Sequence, residues 1–134
     1  SARDAGRGRQ WPRHRPLRSA WESWRAYVME ADKPISRGER RLLAIVAAEE
    51  SGDEEGARAL GELNRLTDGD SQLIRFARKL SRQPWGMEAS DLAELRAAGY
   101  SEDALLHIVS VVAHQNADSR LAIGLSAASQ RPPR

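Results

Sequence analysis

Cysteine is absent from the 134 residues. Its absence excludes a disulfide framework, a zinc or iron–sulfur site held by thiolates, and every form of thiol catalysis. Long apolar runs are missing too, since none approaches the ~20 residues that span a bilayer. The amino terminus is rich in arginine but lacks the apolar centre of a secretory signal. Neither a phosphate-cradling glycine loop nor a nucleophile elbow occurs. No stretch alternates polar with apolar residues, so strands are not indicated. These absences predict a cytoplasmic protein, or one of an organelle matrix if the arginine-rich start is a targeting remnant; the opening Ser1 is compatible with processing.

What is present suits one soluble domain with polar extensions: 40% apolar residues, 30% charged and four Trp. The net charge of +2 hides an asymmetry. Residues 1–18 carry a balance of +5, whereas residues 41–134 carry −3. A segment so rich in Arg, Gly and Pro buries too little apolar surface to fold alone, so residues 1–16 are expected to form an extended basic arm. Arg3, Arg7, Arg9, Arg13, Arg15 and Arg18 can neutralise phosphate or an acidic partner through their planar forks, and Trp11 offers a stacking surface. A solvated tail is the plainer account of the same composition.

Beyond the arm, helical spacing dominates. Leu17, Trp21, Trp24 and Val28 follow i, i+4, i+7, i+11 and predict one apolar stripe on a first helix, broken by Lys33-Pro34. The stripe reads first as core, with an assembly contact through Trp21 and Trp24 as the competitor. Ser36 and Glu39 form a capping box for a second helix carrying Leu42, Leu43, Ile45 and Val46. Asp53 is placed to cap a third helix with Leu60 and Leu63 inside, and Asp70 to cap a fourth with Leu73, Phe76, Ala77 and Leu80. A fifth, from Ser90 to Ala98, should stop at Gly99. Ser101 opens the sixth and most apolar helix, with Leu105, Ile108, Val109 and Val112. Gly124 marks its expected end, and residues 126–134 read as a tail. The pentapeptides Leu42–Val46 and Leu105–Val109 agree in four of five places, as two helices with similar buried faces would.

The segment Asp91-Leu92-Ala93-Glu94-Leu95-Arg96-Ala97-Ala98-Gly99-Tyr100-Ser101-Glu102-Asp103-Ala104-Leu105 resembles the carboxymuconolactone decarboxylase and alkylhydroperoxidase D superfamily, in particular its peroxidase-related branch. The continuation Ile108-Val109-Ser110-Val111-Val112-Ala113, with Asn116 and Arg120-Leu121-Ala122, is similar to that branch's ending. Ile35–Arg40 and Phe76–Pro84 resemble its first helix start and its "FAxKLTRxP" segment. The resemblance spans roughly residues 35–125. It implies an all-α fold of about six helices over residues 17–125 and an oligomeric assembly.

The family's peroxidatic chemistry uses a Cys-x-x-Cys pair, a following His and a preceding Glu. Along this chain those positions fall on Asp53, Gly56, Leu60 and Arg41. A thiolate attacks the peroxide and its partner resolves the sulfenic acid, so a chain with none of the four groups cannot run the relay. The resemblance thus implies a degenerate, non-catalytic relative acting as a structural or assembly subunit without a cofactor or metal. A cysteine-independent enzyme of the decarboxylase type is the alternative, with acid–base work assigned to His107, His114, Glu49 or Glu50. A nucleic-acid or ribonucleoprotein accessory role through the basic arm is a third. His114 and Asp118, spaced i, i+4, make a weak metal pair that lacks a third ligand. The polar run from His114 to Arg120 reads either as lining for a residual pocket or subunit contact, or as a helix end emerging into water.

Overall fold

The computed structural model describes residues 15–62 and 70–128. These form six α-helices and one 3-10 turn, with no strand among the described residues. The helices are α1 (Arg15–Met29), α2 (Arg37–Glu50), α3 (Glu54–Leu60), α4 (Asp70–Arg82), α5 (Ala89–Ala97) and α6 (Glu102–Ala128), the turn (Pro84–Gly86) lying before α5. The all-α class and the six-helix organisation expected from the sequence are therefore observed. Arg3, Arg7, Arg9, Trp11, Arg13 and Leu63 lie outside the described residues.

α2 is the central element. Leu42 through Ala48 are all buried, because α1, α3, α4 and α6 surround it. A helix apolar on every side is stable only in such a position. Its start is the capping box read from the sequence: the Glu39 N–H donates to Ser36 Oγ at 3.0 Å, and the Ser36 N–H donates to Glu39 Oε1 at 2.9 Å. Tyr100 then donates its hydroxyl to Glu39 Oε2 at 2.6 Å, tying the turn before α6 to this cap. Burial and the nearby Glu39 carboxylate raise the Tyr100 pKa, so its hydroxyl keeps its proton and remains a donor.

One main core joins α2, α4 and α6 with Val28 of α1, Ile35 and Leu95 of α5. The pentapeptide similarity ends where these environments diverge. Leu43 and Ala44 are buried, whereas their counterparts Leu106 and His107 are exposed and half-buried, because α6 has neighbours on only part of its circumference.

Three local expectations need correction. Asp70 is not the cap of α4 but a residue of its first turn, where a carboxylate favours the positive end of the helix dipole. Gly124 does not end α6, which runs on to Ala128. A glycine stop needs a positive φ, found here at Gly52, Gly61 and Gly99 but not at Gly124, and the flanking alanines and leucine favour continuation. The stripe of α1 is core only at its end: Val28 is fully buried, Trp21 is half-buried, and Leu17 and Trp24 are 41% and 39% exposed. α1 packs as an outer helix along α6, so only its last turn reaches the centre.

Candidate functional site

The positions matching the lost relay lie at and near the start of α3. Asp53 is buried and caps that helix, accepting the Gly56 N–H on Oδ1 at 3.0 Å. Its Oδ2 accepts the Ser119 hydroxyl from α6 at 2.6 Å, a short charge-assisted bond. Ser119 Oγ in turn accepts Gln115 Nε2 at 3.1 Å. One turn along, Asn116 Nδ2 donates to Ser81 Oγ at 3.0 Å and to Ser51 Oγ at 3.2 Å. Asp53, Ser81, Gln115, Asn116 and Ser119 are all buried. They form a polar seam that joins the α2–α3 turn, α4 and α6 inside an otherwise apolar body. Gly56 is buried, Leu60 is half-buried against the core and Arg41 is exposed.

The polar run of α6 is therefore not a helix end meeting water. His114, Gln115, Asn116 and Ser119 point inward, and the helix continues beyond them. The i, i+1, i+4 spacing of Gln115, Asn116 and Ser119 does not by itself tell a buried polar face from an exposed one. The apolar residues that precede the run, Ile108, Val111 and Val112, do carry the signal, because their face extends through Gln115, Asn116 and Ser119.

His114 is 2% exposed, and among the described residues neither ring nitrogen has a hydrogen-bond partner. Trp21 and Trp24 of α1 cover it, with ring centroids at 5.4 and 4.8 Å. Trp21 Nε1 donates to Asp118 Oδ1 at 3.0 Å, which fixes that indole. Burial lowers the His114 pKa to about 4, opposed by Asp118 and aided by Arg25. The imidazole is thus a neutral ring in an aromatic cage.

His107 sits elsewhere, half-buried beneath Tyr27, whose ring stacks on it at 5.6 Å. Its Nδ1 lies 3.1 Å from both Nη1 and Nη2 of Arg40. A guanidinium has no acceptor, so Nδ1 accepts and the ring proton belongs on Nε2. Arg40 itself is fully buried and satisfies three carbonyls of the α1–α2 connection: Ala31 at 2.7 Å, Val28 at 2.9 Å and Lys33 at 2.9 Å. Desolvation lowers its pKa despite Tyr27, Glu39 and Asp32 nearby. The sequence reading missed Arg40, yet its position three and four residues before Leu43 and Ala44 puts it on the buried face of α2.

The two carboxylates proposed as acid–base partners lie at the end of α2, away from either imidazole's hydrogen bonds. Glu49 is exposed, and Glu50 holds Arg78 at 2.9 Å and Arg82 at 3.3 Å. Those arginines line an open groove of about 520 Å³ on α4 together with Ser71, Ile74, Arg75, Lys79 and Gln83. Asp91 and Glu94 of α5 offset Lys79 and Arg75, at 2.9 and 3.6 Å. Among the described residues no three His, Asp or Glu side chains gather as metal ligands, so His114 and Asp118 acquire no third ligand there. Of the residues proposed to bind a partner, Arg15 and Arg18 are exposed at the start of α1.

No protein-family model matches the sequence, and no curated protein matches it either. Among solved structures, an uncharacterized peroxidase-related protein from Silicibacter sp. TM1040 superposes with a TM-score of 0.65, over 86% of this chain and 69% of that one, at 19% identity. The all-helical body around the Asp53 seam thus has the alkylhydroperoxidase-like fold.

Proposed function

We propose that the chain is an alkylhydroperoxidase-D-like scaffold protein that has exchanged thiol chemistry for structure and serves as a subunit of an assembly. The observation that carries this reading is the engagement of Asp53. At the position assigned to the first thiol of the relay, both carboxylate oxygens are used within the fold, one on the α3 cap and one on α6. A catalytic group must be free to meet substrate, whereas this one spends its hydrogen-bonding capacity on holding three elements together. His107 is committed to Arg40, and His114 is enclosed by two indoles, which leaves the acid–base alternative without an imidazole hydrogen-bonded to a carboxylate among the described residues.

Two measurements on the purified full chain test the reading together. Peroxide consumption with dithiol reductants should stay at the rate without protein. Native mass spectrometry of the complex isolated from its source should show an oligomer or stoichiometric partner chains. A monomer that turns over peroxide or a lactone acid would overturn it.

A second reading has support in the exposed Arg15 and Arg18, which continue the arginine-rich sequence into α1. On that reading the arm grips a polyanion such as RNA. Binding should then fall steeply between low and physiological salt, as each neutralised phosphate releases counterion. Binding indifferent to salt, or none at all, removes it.

A further inference from the structure

We propose that the outer face of the α1–α6 pair is a homodimer interface, in which α6 packs antiparallel against α6 of a second copy. This rests on the scaffold reading and names the surface and partner that it leaves open.

Leu106, Ser110, Ala113 and Ala117 follow i, i+4, i+7, i+11, so they form one stripe of α6. The stripe faces away from the core: Leu106 is 62% exposed, Ala113 is exposed, and Ser110 and Ala117 are half-buried. α1 runs antiparallel beside it, as the pairings Trp21–Asp118, Trp24–His114 and Tyr27–His107 require. Tyr27 (63% exposed) lies on His107 and so next to Leu106, while Trp24 lies on His114 and so next to Ala113. Two aromatic rings and a leucine thus border a strip of small residues on one side of the molecule. Apolar surface gathered in this way marks interaction sites far more than scattered exposed residues do.

The one hydroxyl on the stripe is already engaged, so a dry contact would not strand it. The Ser110 hydroxyl donates to the Leu106 carbonyl at 2.8 Å within the helix. Small side chains at mid-stripe permit close backbone approach, and ridges of one helix then enter the grooves of the other.

Charge selects the partner and its direction. Glu102 and Asp103 stand at the start of α6, and Arg120 stands near its end on the same exposed side. Among the described residues Asp103 and Arg120 have no ion-pair partner, while Glu102 holds Arg96. An antiparallel second copy sets each acidic start against the other's Arg120, twice by symmetry. A parallel copy would oppose like charges at both ends. In the antiparallel register Leu106 seats on Ala117 of the second copy, and Ser110 meets its Ala113 close to the two-fold axis. Such an isologous contact closes at two subunits. A helix of 27 residues is about 40 Å long, enough to support an interface of about 800 Å² per partner.

The test is sedimentation velocity of the full chain at micromolar concentrations, expected to give twice the chain mass. Leu106→Glu and Ala113→Arg should each weaken the dimer at least about thirty-fold, as loss of a hot spot does. Both positions are exposed in the single chain, so the helical content of the variants should match that of the native chain. The lack of native cysteine allows a direct reading of direction. Leu106→Cys protein mixed with Ala117→Cys protein should be joined by a short bismaleimide, and neither should be joined alone. A chain that stays monomeric, a dimer indifferent to both charged substitutions, or self-linkage of Leu106→Cys would each overturn the proposal. A chain monomeric by itself that still co-purifies with a different protein would end the homodimer and leave the scaffold reading standing. Monomeric chain with catalytic turnover would end both.

Discussion

At the first turn of α3 a carboxylate performs two tasks that a thiol performs poorly. Asp53 accepts a backbone N–H as a cap and a hydroxyl from a distant helix. Asp53→Ala should therefore cost about 2–4 kcal/mol, combining the lost cap with buried donors left unpaired. Asp53→Asn keeps an acceptor for Gly56 and should cost roughly 1 kcal/mol. Urea unfolding of the two variants checks the difference, and equal losses would remove the cap from the account. His114 gives the protein a pH dependence of known sign. Its folded pKa of about 4 lies below the ordinary value of 6.5, so the folded state resists protonation. Stability is full above about 6.5 and falls as pH drops towards 4, by roughly 3 kcal/mol in all. His114→Phe retains an aromatic ring in the cage and should flatten that acid slope. Unfolding free energies at pH 7 and pH 4.5 measure it.

Between elements, the connection from α1 to α2 is held by one buried side chain. Arg40 satisfies three carbonyls and orients His107, and only a planar fork with several donors reaches all four groups. Arg40→Lys should therefore fail to rescue Arg40→Met, and both should lose about 3–5 kcal/mol through carbonyls left buried and unpaired. Chemical denaturation reads the loss, and limited proteolysis between residues 30 and 36 should accelerate in step. The contact of Tyr100 with the α2 capping box is a smaller link. Removing the hydroxyl in Tyr100→Phe should cost about 1 kcal/mol, typical of one net hydrogen bond. Elements were the most legible level of the sequence. The capping box at Ser36 and Glu39, the cap at Asp53 and the stop at Gly99 were each written in a few adjacent residues. Gly124 misled because glycine is both a helix stop and a tolerated helix residue, and only the backbone φ separates the two.

Across the whole molecule, α1 is the outermost layer, yet it roofs His114 and supplies Val28 to the core. Removing residues 1–30 should lower the thermal midpoint by more than about 10 °C, since each kcal/mol moves a domain of this size by several degrees. It should also abolish the acid slope, because the imidazole then meets water at all pH values. A truncated chain with both properties intact would show α1 to be an appendage. The all-α class, the absence of a thiol and the apolar face of the helix carrying Leu42–Val46 followed from composition and period, since those depend on residue type and spacing alone. The pairing of Asp53 with Ser119, of Arg40 with His107 and of His114 with two indoles could not. Those contacts join residues 66, 67 and up to 93 positions apart, and no local pattern encodes which helix faces which. Whether a polar residue is a cap, a buried strut or a reactive group is decided by the groups around it, and only tertiary packing assembles them.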